Sequence, residues 1–151
     1  MNFDDTPHGD DFYVSTDIRR LDMGWVINTL LAQPWGGFRT HENMQDAIQH
    51  SICFGLYHHQ ITPGRVDRSS DTQVGFARVI SDRATYSLVV DVVIDERFRG
   101  RGLGKFLVGE IVKHPAVDGT VSLLRTNTAS SLYSKFGYNA VGATMRRLPT
   151  P

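Results

Sequence analysis

Residues 88–112 read LVVDVVIDERFRGRGLGKFLVGEIV, and the rest of the chain is organised around them. Leu88–Ile94 is apolar and β-branched apart from Asp91. Such a run predicts a central strand covered on both faces. A charged, glycine-punctuated turn follows, Asp95 to Gly104. Leu103, Phe106, Leu107 and Ile111 then recur at helical spacing, so a helix begins at about Leu103. A buried strand that runs through such a turn into a helix can hold phosphate. Gly100, Gly102 and Gly104 admit left-handed backbone and carry no Cβ to keep an anion away. Their N–H groups can line one concavity, to which the helix N-terminus adds partial positive charge. Arg99, Arg101 and Lys105 flank it. The plainer alternative is a tight strand–helix connection.

Two common phosphate motifs are excluded. A P-loop requires Gly where Arg99 stands and Ser or Thr where Phe106 stands. The dinucleotide fingerprint requires Gly or Ala in place of Lys105, within the first βα unit of a chain. What remains is R-x-x-G-x-G, formed by Arg99, Gly102 and Gly104, after a strand ending V-V-I-D.

Outward from this stretch the chain reads as one domain. Its 151 residues suffice for a core, with 40% apolar and 21% charged residues. Basic and acidic residues balance at 16 each, so no net positive field draws nucleic acid or an anionic membrane. The single cysteine, Cys53, excludes an intramolecular disulfide and fits a reducing compartment. No signal peptide or membrane span is legible, so the expectation is cytoplasmic.

Residues 1–10 are polar and are expected to be a flexible N-terminus, with residues 11–151 forming the domain. A strand is expected at Phe12–Thr16, then a helix from Met23 to Leu31 capped by Asp22. In the loop that follows, Trp35 and Phe38 either cap the edge of the core or line an acceptor pocket. Asn43 is expected to cap a second helix. Alternating strands Ile52–Tyr57 and Thr72–Ile80 follow, separated by the Thr62-Pro63-Gly64 turn and forming an antiparallel meander with the central strand. Val121–Leu124 is reached through a helix and is expected to lie parallel to the central strand. A short helix at Ala129–Phe136 and a last strand at Tyr138–Arg146 complete the expectation. The fold class is α+β: a mixed, mainly antiparallel sheet flanked by helices.

A second motif, T-N-T-A-S-S-L-Y-S-K-F-G-Y, spans Thr126–Tyr138. Together with R-x-x-G-x-G it resembles the GNAT superfamily of N-acetyltransferases, whose pattern is N-x-x-A-x-x-L/F-Y-x-K-x-G-F/Y. Asn127, Leu132, Tyr133, Lys135, Gly137 and Tyr138 sit where that pattern wants them, and Ala129 stands one place early. The resemblance implies a GNAT-like fold whose sheet splays between the central strand and Val121–Leu124, its fourth and fifth strands. It implies acetyl-CoA in that cleft, with pyrophosphate on amides from Arg99, Gly100, Arg101, Gly102, Leu103, Gly104 and Lys105. The pantetheine arm would pair with Val92, Val93 and Ile94, Asn127 would touch the arm, and Tyr133 would stand by the thioester sulfur.

The chemistry implied is direct attack of a neutral amine on the thioester carbonyl within a ternary complex. It requires proximity, a proton acceptor and help for the departing sulfur. Asp91, the only charge in the apolar run, either accepts the amine's proton or makes a structural hydrogen bond across the sheet. No His, Cys and carboxylate cluster has metal-ligand spacing, so no metal is expected. The acceptor is expected to be a small-molecule amine. The alternatives are a protein or peptide N-acetyltransferase, or a non-catalytic acyl-CoA-binding module. Homodimers are frequent among proteins of this kind.

Overall fold

A computed structural model describes residues 6–9, 11–60 and 70–149. The element order is β1 Thr6–His8, β2 Phe12–Ser15, α1 Met23–Leu31, α2 His41–Gln49, β3 Ile52–His58, β4 Thr72–Ser81, β5 Tyr86–Ile94, α3 Leu103–Lys113, β6 Val121–Leu124 and α4 Ser130–Ser134. One sheet runs in the order β1-β2-β3-β4-β5-β6. Every neighbouring pair is antiparallel except β5 and β6, which are parallel. The expected meander and the parallel return through α3 are both present.

The structure differs from the expectation at four places. Thr6–His8 adds a strand within the region expected to be flexible: Thr6 pairs with Val14, and the His8 ring stacks on Phe106 at 4.5 Å. The cap of α2 is Thr40 rather than Asn43. The Thr40 hydroxyl accepts from the Asn43 N–H, and the Asn43 side chain accepts from the Thr40 N–H, so Asn43 is the reciprocal member of a capping box. Residues 138–149 form no strand. Gly142 takes φ +47, which breaks an extended run, and Val141 and Met145 project into solvent with nothing to bury against. The expected helix at Ala129–Phe136 is trimmed to Ser130–Ser134. The Thr62-Pro63-Gly64 turn lies outside the described residues.

Helices cover both faces of the sheet, giving two cores. On one side α3 packs Leu103, Leu107 and Ile111 against Phe54, Leu56, Val79 and Val89. On the other, α1 and α2 pack Val26, Leu30, Met44 and Ile48 against Cys53, Phe76 and Val93. Val89 and Val93 are four apart on one strand and should share a face. They belong to different cores because β5 carries a bulge. The β4 register skips from Val90 opposite Arg78 to Val93 opposite Phe76. Asp91 lies in this gap with φ +59.

Candidate active site

The bulge stands where the sheet opens. Val89, opposite Leu124, is the last β5 residue paired with β6. Beyond it β5 continues to Ile94, so among the described residues the edge that would face β6 has no strand partner. A β-bulge twists and redirects its strand, and here it accompanies the parting of two parallel neighbours.

Asp91 is held in this conformation by two guanidiniums. Arg78 Nε donates to Oδ2 at 2.9 Å, and Arg39 Nη1 donates to Oδ1 at 2.5 Å. The carboxylate is fully buried. Arg78 also donates to the Ser51 hydroxyl at 3.0 Å. Aspartate tolerates left-handed backbone better than a β-branched residue would, and both of its oxygens are engaged.

The turn after β5 is built by Asp95. Its carboxylate accepts from the Arg97 N–H at 2.9 Å and from Arg97 Nε and Nη2 at 3.1 and 2.9 Å. The Arg97 fork holds this carboxyl below the usual range. Arg97 is thereby turned to Asp95. Arg99 Nε donates to the Ile94 carbonyl, and Arg101 lies over the Phe98 ring. Gly100 and Gly102 take φ +79 and +75, and a Cβ added to either would meet no atom within 4 Å. Gly102 is the N-cap of α3 and supplies no capping side chain. The first N–H groups of α3 therefore have no side-chain cap, and Gly102, Leu103 and Gly104 line a cavity beside a positive helix end, which is what an anion requires. The residues present fit a pyrophosphate, and the free strand edge leading to them fits an amide-bearing arm.

A cavity of about 410 Å³ joins these parts. Of the residues singled out in the sequence, it is lined by Val92, Val93, Ile94, Arg99, Gly100, Gly102, Leu103, Gly104, Trp35 and Tyr133. Arg101 and Lys105 lie on the turn and first helical turn without lining it, and Asn127 is exposed on the loop before α4. Phe38 is 63% exposed and stands apart from the cavity, whereas Trp35, 47% exposed, forms part of its wall. Asp91 does not line it. Gln33, Phe98, Ala129 and Leu132 complete the wall. Ala129 and Leu132 belong to the second motif, whereas nothing in their residue types marked Gln33 and Phe98 in the sequence, since these contribute shape.

Tyr133 projects from α4 and is 8% exposed. The Tyr138 ring meets it edge-on at 6.0 Å. Burial, and then Tyr138, push its phenol above the ordinary tyrosine value, so it is a proton donor at neutral pH. Cys53 lies elsewhere, in the α1–α2 core. Its sulfur approaches the Ile48 carbonyl at 3.4 Å, and burial pushes its thiol up to about 12. Such a thiol is inert as a nucleophile.

A mixed sheet that parts between β5 and β6, an uncapped glycine turn and a buried tyrosine come together at one cavity. A domain profile described as the acetyltransferase (GNAT) domain matches residues 53–140. The chain belongs to the GNAT family. A Gibberella zeae protein described as an acetyltransferase is 32% identical over 65% of this chain and 60% of its own length. A Glycine max protein described as an acetyltransferase is 26% identical over 82% of this chain and 47% of its own. The matches thus span less than two thirds of these curated relatives. A crystal structure from Xanthomonas campestris pv. campestris, described as a GNAT-family acetyltransferase, is 35% identical. It covers 95% of this chain and 96% of its own, with a TM-score of 0.76. No helix among the described residues is long and apolar enough to cross a membrane.

Proposed function

We propose that the protein is an acetyl-CoA-dependent N-acetyltransferase acting on a small-molecule amine in the cytoplasm. One observation carries this reading: the β5 edge beyond Val89, the uncapped glycine turn and Tyr133 meet at one cavity. Acetyl-CoA supplies an activated acyl group and a thiolate leaving group. The α3 amides would hold its pyrophosphate, and backbone groups of Val92–Ile94 would hold its arm by adding it as a strand. An N–H of this stretch would polarise the thioester carbonyl. Tyr133 would donate a hydrogen bond to the departing sulfur, and the proton of the attacking amine would leave through water in the cleft. Full proton transfer from tyrosine to a thiolate is uphill on their ordinary values of about 10 and 8.5, so a hydrogen bond suffices.

Asp91 is assigned here to positioning. Both of its oxygens are engaged by arginines, and it does not line the cavity. A small acceptor is favoured over a peptide because the α1–α2 loop, through Trp35, stands in the wall of the cavity. The test is a thermal shift and calorimetric titration with acetyl-CoA, followed by an amine panel with detection of released thiol. Absence of both binding and turnover would remove the transferase reading. Binding without turnover would leave an acyl-CoA-binding module.

A further inference from the structure

Arg39 was not singled out in the sequence. It lies on the α1–α2 loop, outside the lining of the cavity, between Trp35 of the cavity wall and Asp91 of the β5 bulge. Its guanidinium lies 5.1 Å from the centre of the Trp35 ring, which walls the cavity, while Nη1 donates to Asp91. Among the described residues Asp91 is the only hydrogen-bond partner of this side chain, so Nε and Nη2 are uncommitted. Neither is a buried unpaired atom, so both reach solvent although the side chain is only 17% exposed.

The edge left free is the one that grips a carboxylate in parallel. Elsewhere in this chain Arg19 takes Asp17, and Arg97 takes Asp95, through Nε and Nη2 together. That fork fits a two-oxygen anion in its plane. Charge points the same way, because the guanidiniums of Arg39 and Arg78 share the single carboxylate of Asp91. Nor does the fork have to be ordered on binding. The Arg39 N–H donates to the Gly36 carbonyl at 3.1 Å, Asn43 Nδ2 donates to the Phe38 carbonyl, and Thr40 caps α2 directly after it.

We propose that the Nε–Nη2 edge of Arg39 binds an anionic group on the acceptor, a carboxylate or a phosphate, and that Trp35 backs the arginine from the cavity wall. The acceptor class is then amines that carry a negative group, and Arg39 is the residue that selects them. This rests on the transferase reading above. The acetyl donor's phosphates are assigned to the α3 amides, so Arg39 acts on acceptor recognition alone.

The experiment compares wild type, Arg39→Gln and Arg39→Lys at saturating acetyl-CoA. It uses pairs of amines that differ only in the anionic group: an amino acid and its carboxamide, and an aminoalkyl phosphate and its alcohol. Charge-assisted hydrogen bonds of this kind give about a ten- to hundredfold preference in kcat/KM. Wild type is expected to show it for at least one pair, and the pair that shows it identifies the anion. Both variants are expected to bring the ratio close to one, chiefly through the KM of the anionic amine, with the KM for acetyl-CoA retained. Arg39→Lys keeps a cation beside Asp91 but not the fork, so it decides the matter even where Arg39→Gln fails to fold. A wild-type ratio near one for both pairs overturns the proposal, as does an unchanged ratio in the variants or an equal loss on both members of a pair. Turnover without anion preference sinks this inference alone. Failure to bind acetyl-CoA sinks the transferase reading beneath it.

Discussion

Arg78 reaches Asp91 across the β4–β5 ladder at the place where that ladder skips a residue, Nε to Oδ2 at 2.9 Å. The ion pair and the bulge are one device. An L-residue at φ +59 in mid-strand costs on the order of 1–3 kcal/mol and needs its surroundings to hold it. Two arginines from separate elements provide that hold, and the strand beyond changes faces and leaves β6.

Asp91→Asn is therefore expected to act on stability before chemistry. Asparagine accepts left-handed backbone but leaves two largely buried guanidiniums without their counter-charge. Breaking such a pair costs about 3–5 kcal/mol, which urea denaturation would read as a lowered midpoint. An unchanged midpoint together with a flattened acid limb of the pH–rate profile would return Asp91 to the role of proton acceptor.

Gly102→Val is expected to abolish acetyl-CoA binding in a protein that still folds. The position has φ +75 and open space around it, so the fold loses about 1–2 kcal/mol from backbone strain with no steric clash. The anion loses its place against the α3 amides. Calorimetric titration measures this directly, and retained affinity would reduce the turn to a connection.

Tyr133→Phe keeps the ring and its packing against Tyr138. Turnover is expected to fall about ten- to a thousandfold while acetyl-CoA affinity holds, the usual scale of donors at a developing charge. Because burial raises this phenol's pKa, loss of activity through its ionisation should set in only above pH 10. Equal turnover in the two proteins, with chemistry rate-limiting, would leave Tyr133 as packing.

Acidification should find a weak point at His114, behind α3. Its ring packs edge-on against Phe54 and accepts from the Ala116 N–H at 3.1 Å; burial, then Arg83, lower its pKa below 6.5. The unfolded chain then binds more protons than the folded one just below pH 6.5. The contribution of neutral His114 is present above that pH and is lost as pH falls toward the folded value. Denaturation midpoints should decline across this window in wild type and decline less in His114→Gln. Parallel declines would assign the acid sensitivity to other groups.

The glycine turn, the start of α3 at Leu103 and the parallel β6 were legible because each rests on local chemistry: positive φ, apolar spacing, a crossover too long for a hairpin. The α2 cap was displaced by three residues because Thr40 and Asn43 are both good caps, and only geometry shows which begins the helix. Arg39 was invisible because its partner lies 52 residues away, and a lone arginine in a loop has no pattern. The bulge was hidden for a related reason. Asp91 drew notice as a charge in an apolar run, yet sequence does not tell a carboxylate that meets two arginines from one that meets a substrate.

The burial of Cys53 has a practical consequence. It is the only cysteine in the chain and is 4% exposed. An aromatic disulfide reagent added to the folded protein should therefore colour with free coenzyme A and with little else, so acyl transfer can be followed continuously without subtracting the catalyst's own sulfur. As the protein unfolds the background rises toward one equivalent per chain, and the same cuvette reports whether a lost rate is lost chemistry or lost fold.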